Sequence, residues 1–352
     1  MTPTSAFWKW FLIGGIAATL LVVGQANELG GYAGLLQVGE ESAVRPMIEE
    51  ELGQIPLAAH FGHDGQISYA IGLDLLGREV PDLLDHGAYR YRRVLYPGVA
   101  SLFGLLDGDA LLAGMIVVAV LSAAAAAGLL ARLVTQFGRS DWLALAVILN
   151  PGLWLSVRLL TSDSMAMALM LLGLLWVVQG SLAAAVAFAL SGLAKDSYLT
   201  TAGGLAVSRD RRRWLLFLIP AGALTIWSGW LTLTMGGGYS SRGNLGLPFV
   251  GIAEATSTWA SFEAGELFYL AFALVSVAAG LLYSAFVRSW LRWPILAWSL
   301  LGVLSTNWVW DLGNNAARVF APIAVLIALA EARRTGTEST ASTEKVAVRE
   351  SE

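Results

Sequence analysis

Residues 7–24 read FWKWFLIGGIAATLLVVG, an apolar run whose one charge, Lys9, sits near its start. A membrane-crossing helix needs about 20 mostly apolar residues, so this run is long enough to be a first span. A signal peptide would look similar. No clear A-x-A cleavage site follows, however, and many apolar runs come later, which favours a retained anchor. Those runs lie at about 110–131, 142–159, 163–179, 181–195, 197–208, 213–233, 266–287, 293–309 and 315–332. The stretch 197–208 is too short to cross unaided and reads as one arm of a broken or re-entrant hairpin inside a bundle. The pattern predicts an all-α, polytopic transmembrane bundle of about ten membrane segments, with both termini on one side.

Composition agrees. Of 352 residues, 56% are hydrophobic and 14% charged. Soluble domains carry about a quarter charged residues, so a soluble globular enzyme of this length is excluded. Fourteen Trp and 38 Gly fit a membrane protein, because Trp suits membrane interfaces and Gly lets helices approach closely. The absence of cysteine excludes disulfides, thiolate metal sites and a cysteine nucleophile.

The formal net charge of −4 conceals an asymmetry. Alternating the loops between two sides places Lys9, Arg132, Arg139, Arg209, Arg211, Arg212, Arg213, Arg288, Arg292, Arg333 and Arg334 with the termini. With Lys345 and Arg349, that side holds 13 basic against 7 acidic residues, and the other side 9 against 19. The positive-inside rule then makes the termini cytoplasmic in a multi-pass cell-membrane protein. Two long loops fall outside, at about 25–109 and 234–265, and long loops carry function more often than short basic turns. Residues 1–334 form the membrane domain. Residues 335–352, rich in Ser, Thr and Glu, read as a disordered cytoplasmic tail. No internal repeat of the kind found in many secondary transporters stands out.

The most informative external stretches are HFGHDGQISYAIGLD, residues 60–74, and DHGAYRYRRVLYPGVASLFGL, residues 85–105. Asp64 lies just before the amphipathic pattern Ile67, Tyr69, Ala70, Ile71, Leu73. A carboxylate there can act as general base toward an acceptor hydroxyl, or can cap the helix that follows; spacing alone leaves both readings open. His60, His63 and Asp64 also invite a divalent metal such as Mg or Mn, although a hydrogen-bonded set around one carboxylate is the commoner arrangement. Arg90, Arg92 and Arg93 interleave with Tyr89, Tyr91 and Tyr96. Guanidinium forks bind phosphate, whereas the plainer reading is interfacial anchoring; positive charge is depleted on this side, which favours function. Polar residues interrupt apolar runs at the same level: Arg158 with Asp163, Lys195 with Asp196, Asn307 with Asp311, and Arg318. Ionisable groups at membrane depth are expensive and face the bundle interior or a polar cavity, as structural ion pairs or as working groups.

The order of these pieces resembles the GT-C glycosyltransferases, and within them the GPI mannosyltransferase type and related bacterial proteins. The matching pieces are Asp64-Gly65-Gln66 with Tyr69, RVLYP at 93–97, Asn150-Pro151, Ser162-Asp163-Ser164, and Arg318 followed by Pro322, spread over most of residues 60–325. Each motif is weakly specific alone; their order is more so. The resemblance implies amphipathic helices on the external membrane face, a polyprenyl-phosphate-linked sugar donor, and catalysis outside the cytoplasm. It maps the proposed base to Asp64, an acidic motif residue to Asp163, and a donor-phosphate contact to Arg318. The chain departs from the family in its single acidic residue in the DG motif and in lacking a sizeable soluble C-terminal domain.

The resulting expectation is a hexosyl- or mannosyl-type transferase of the cell envelope. Asp64 is its base, and Arg90, Arg92, Arg93, Lys195 and Arg318 hold the donor phosphate. His60, His63, Gln66, Tyr69, Tyr89, Tyr96, Arg158, Asp163, Asp196, Asn307 and Asp311 line the substrate cavity. The partners are the lipid bilayer, the donor, and a glycan, lipid or protein acceptor; nothing points to nucleic acid. Two rivals are a transporter or flippase of an anionic or lipid-linked substrate, and a non-catalytic assembly subunit.

Overall fold

The structure is a computed structural model that describes residues 2–104, 107–207, 212–235 and 243–350, with side chains described for all of these except residue 212 and residues 335–350. Arg209, Arg211, residues 236–242 of the second long loop, and the side chains of the expected tail lie outside the described residues. Among the described residues, eighteen α-helices follow in order. The first long helix is α1 (Pro3–Glu28), and the first long loop carries α2 (Arg45–Leu52), α3 (Asp64–Leu73), α4 (Val80–Leu83), α5 (Gly87–Tyr91) and α6 (Leu95–Ala100). Next come α7 (Gly108–Gln136), α8 (Leu145–Ile148), α9 (Pro151–Arg158), α10 (Asp163–Val178), α11 (Ala184–Ala194) and α12 (Leu199–Ala206). The chain continues through α13 (Arg212–Met235), α14 (Val250–Trp259), α15 (Ala264–Phe286), α16 (Arg292–Leu304), α17 (Asn307–Trp310) and α18 (Gly313–Glu350). Among the described residues, β-structure is limited to isolated bridges such as Val38 with Gly62.

Among the described residues, five helices, α1, α7, α13, α15 and α18, are long and apolar enough to cross a membrane, and α10, α11 and α16 are apolar but shorter. The protein is therefore an all-α, multi-pass membrane bundle. Of the long helices, α18 is the most enclosed, with 67% of its apolar window buried, and α13 the most peripheral, with 22%. Where the sequence runs on, the backbone breaks. The stretch 142–159 divides at Asn150, because Pro151 offers no N–H and holds the residue before it extended. The stretch 293–309 divides at Ser305, which leaves α16 to bridge Leu245.

Small residues set the packing. A Cβ on Gly14 would stand 3.0 Å from Ala127 Cβ, and Gly128 faces Phe7, so α1 and α7 close along an antiparallel small-residue seam. Helices α10, α11 and α12 pack side by side, and α12 is the stretch expected as one arm of a broken or re-entrant hairpin; its Gly204 reaches Pro294 at the start of α16. Ser191 Oγ of α11 donates to the Ala166 carbonyl at 2.7 Å, and Phe188 covers Gly173, so α11 climbs against α10. Thr201 of α12 then bonds Met170 Sδ at 3.1 Å, which means that α12 descends again. The tip of this hairpin is Lys195-Asp196. At the same end of the bundle lie α3, α5 and the start of α18. Helix α3 is enclosed on most sides, burying Gly65, Gln66, Tyr69, Ala70, Ile71 and Gly72, and does not lie open along a membrane face.

Candidate functional site

Asp64 is the first residue of α3, and its position is fixed by backbone contacts. A Cβ on the neighbouring Gly65 would meet the Leu159 carbonyl at 2.5 Å and the Leu36 carbonyl at 3.0 Å, so only glycine lets the helix start here. Gln66 pins the preceding loop, accepting from Gly39 N at 3.2 Å and donating to the Phe61 carbonyl at 2.5 Å. The Asp64 carboxylate is then shared. Arg90 Nη1 donates to Oδ1 and Arg318 Nη2 donates to Oδ2, each at 3.0 Å, from positions 26 and 254 residues away in the chain. Arg90 also forks onto Asp85 at 3.0 and 3.1 Å, and Arg318 donates to Asn315 Oδ1 at 3.3 Å.

Burial alone would raise the Asp64 pKa. The guanidiniums of Arg318, Arg90 and Arg93 outweigh it and hold the carboxyl well below the usual carboxylate range. His63 moves down as well, through burial first and then the positive charge of Arg318 and Arg158, against the opposing pull of Asp64. Burial works against the charge of Arg90 too, but Asp64 and Asp85 push its pKa above the ordinary value. The Asp64 side chain nevertheless remains 32% exposed. It faces a small recess of about 30 Å³, open to solvent, which Arg90, Arg93, Asp163 and Lys195 also line, with Ile67 and Ile71 of α3 along one wall.

Behind Asp64 lies a closed pair. Lys195 bonds Asp163, both nearly fully buried, and Thr161 Oγ1 donates to the other Asp163 oxygen at 2.9 Å. Asp196 lies 3.8 Å from Arg92 and 3.6 Å from Arg93. Arg93 also donates to the Tyr89 hydroxyl at 2.7 Å and stacks over the Tyr89 ring, while Asn244 donates to that hydroxyl at 3.0 Å. Five cations (Arg90, Arg92, Arg93, Lys195, Arg318) thus meet four carboxylates (Asp64, Asp85, Asp163, Asp196), while Arg158, which does not line the recess, acts on His63. The Nε groups of Arg93, Arg158 and Arg318 are buried with no hydrogen-bond acceptor among the described residues. The same holds for the Nε groups of Arg132 and Arg139 at the other end of the bundle, so the feature is not particular to the recess.

Not every expected cavity residue gathers here. His60 is exposed and lies 3.5 Å from Glu41. Gln66 serves the loop. Tyr96 is fully buried and donates to the Met115 carbonyl at 2.9 Å. Tyr69 is also fully buried, with its hydroxyl beside the start of α7 and Glu51. Asn307 donates to Asp311 at 2.9 Å, and Thr258 of α14 donates to Asp311 at 3.2 Å, so this pair holds α14 to α17. Asp85, Thr161, Asn244 and Asn315 belong to the cluster without having stood out in the sequence. Asn315 could have been found from its helical spacing, one turn before Arg318; nothing local marks Asn244.

The residues at Asp64 do not suit a divalent cation. Both carboxylate oxygens carry a guanidinium, His63 lies among further positive charge, and no group of three His, Asp or Glu side chains gathers for a metal among the described residues. No family model, no curated protein and no solved structure matches the chain. What the fold and the recess define is a class: a multi-pass helical membrane protein with a cation-rich, partly buried charge cluster at one end of its bundle.

Proposed function

We propose that the recess holds the phosphate of a polyprenyl-phosphate-linked sugar and that the chain, a GT-C-type glycosyltransferase, passes the sugar to an acceptor hydroxyl. The observation that carries this reading is the convergence of Arg90, Arg93 and Lys195 on one solvent-open recess beside Asp64, whose second carboxylate oxygen takes Arg318. A phosphate oxygen is the acceptor that guanidinium forks match best. The location at a membrane-embedded cluster suits a lipid-linked donor, and the charge asymmetry of the loops supports an external active face with cytoplasmic termini.

In the reaction, the bond between the anomeric carbon and the donor phosphate oxygen breaks, and its electron pair stays on the phosphate. A new bond forms from that carbon to the acceptor oxygen, whose proton passes to Asp64. Arg90 and Arg318 stabilise the charge growing on the leaving phosphate, so no second carboxylic acid is required. The test is a reconstituted vesicle assay with a labelled polyprenyl-phosphate sugar and a mixed acceptor extract. Asp64→Asn is expected to lower transfer by about 10²–10⁴-fold, the usual contribution of a general base. Label that crosses the bilayer without covalent transfer would make the protein a transporter; label that does neither would make it a non-catalytic subunit.

A further inference from the structure

Resting on the phosphate reading above, one feature of Asp64 goes beyond it. A general base needs affinity for a proton, and ideally a pKa near the working pH. Two guanidiniums hold this carboxylate in its charged form. Its geometry explains the contradiction. Each carboxylate oxygen takes one guanidinium, from helices distant in the chain, which is the same two-oxygen grip that a phosphate presents to two arginines. Of Asp64 and the two arginines that grip it, Asp64 is the most exposed; Asp85, which shares Arg90, is more exposed still but takes no bond from Arg318. The Asp64 side chain is 32% exposed at the recess, against 21% for Arg90 and 8% for Arg318, so an entering anion meets Asp64 and its arginines from the open side. The neighbouring carboxylate Asp163 is 1% exposed and locked to Lys195, and gives no such opening.

We infer that Asp64 is a built-in stand-in for the substrate phosphate: an entering phosphate takes Arg318 and Arg90 from it, and the exchange frees the carboxylate to act as base. The cations outnumber the carboxylates, so a phosphate is welcome without any cation having to arrive with it. The unaccepted Nε of Arg318 gives the phosphate one bond that Asp64 does not supply. Once its guanidiniums turn to the phosphate, Asp64 loses the charges that depress its proton affinity. The base is thus armed only when the donor is present, which requires the donor to bind before the acceptor reacts.

Binding, measured separately from transfer, tests this. The wild-type chain and Asp64→Asn, in nanodiscs of zwitterionic lipid, are titrated with farnesyl monophosphate and, in a second arm, with inorganic phosphate. Removing the competing carboxylate is expected to tighten farnesyl phosphate binding by about tenfold or more even as transfer is lost. Tightening in the inorganic arm alone would assign the exchange to free phosphate. Equal or weaker binding to Asp64→Asn than to wild type overturns the exchange and leaves the phosphate site standing. Failure of both proteins to bind either probe removes the phosphate site and the exchange together. Should Asp64→Asn not fold, the infrared difference spectrum of the wild type on adding farnesyl phosphate decides: a shift of an aspartate carboxylate band is expected, and its absence overturns the exchange.

Discussion

The two ends of the bundle handle charge differently. At the recess, Asp64, Arg90, Arg318, Asp163 and Lys195 come from five separate segments and converge on two neighbouring carboxylates. Sixteen residues beyond Arg318, about 24 Å along α18, Arg334 pairs with Glu331 one turn away on the same helix. There too, Lys9 pairs with Asp141 at 2.8 Å while lying over the rings of Trp10 and Trp142, and Arg213 and Arg333 stack on Trp290. Those charges are local or cushioned on aromatics, as suits groups that anchor a helix end at an interface. The contrast teaches that the number of charges matters less than whether they converge on one opening.

Stability measurements in detergent can break or sharpen this contrast. The largest effect is expected from Lys195→Ala, which strands Asp163 in the interior; loss of one partner of a buried pair costs about 3–5 kcal/mol. The double replacement Lys195→Met with Asp163→Asn is expected to restore at least half of it. Lys9→Ala at the other end is expected to cost less, about 1 kcal/mol, because Asp141 keeps the hydrogen bond from Trp10 Nε1 at 2.8 Å. Equal losses at the two ends would abolish the distinction.

Asn150→Ala comes next. Asn150 accepts from Gly152 N and Leu153 N at the start of α9, and its Nδ2 donates to the Ala321 carbonyl of α18 at 3.0 Å, one turn beyond Arg318. Its loss is expected to lower stability by about 1–2 kcal/mol and to weaken phosphate binding, since it ties α9 to the helix that carries Arg318. Unchanged phosphate affinity would show that α18 holds Arg318 unaided.

The smallest effect concerns pH. His63 sits among Asp64, Arg158 and Arg318, and its folded pKa is below the ordinary 6.5. The native state therefore binds fewer protons than the unfolded chain in the window just below pH 6.5, and stability falls as pH drops through that window. In His63→Gln, the decline in thermal midpoint between pH 7 and 5 is expected to be shallower. An unaltered slope would remove His63 from the cluster's electrostatics.

Much of the bundle was legible in the sequence because length and apolarity act locally. The runs that became α1, α7, α13, α15 and α18 each declare themselves within one window. The brevity of 197–208 was legible for a similar reason, and that stretch forms the short helix α12. The arginines at 90, 92, 93, 158 and 318 stood out by lying on the side depleted of positive charge. What could not be read was direction. Gln66, Tyr69 and Tyr96 sit in the same motifs as Asp64 and Arg93, but their side chains turn to backbone carbonyls or into packing. A polar side chain near a motif has the same spelling whether it faces a cavity or a carbonyl. Nor does any periodicity announce a bond between residues 64 and 318.

That long separation has a consequence for how the protein is made. Every other contributor to the recess precedes α18 in the chain, so during synthesis Asp64 waits for its second cation until nearly the whole bundle has been threaded into the membrane. Until then the carboxylate has only Arg90 for company, and the anion cradle is incomplete. Ligand-binding competence thus arrives as a late event in assembly, and a chain stalled before its last helix carries the charge of the site without its grip.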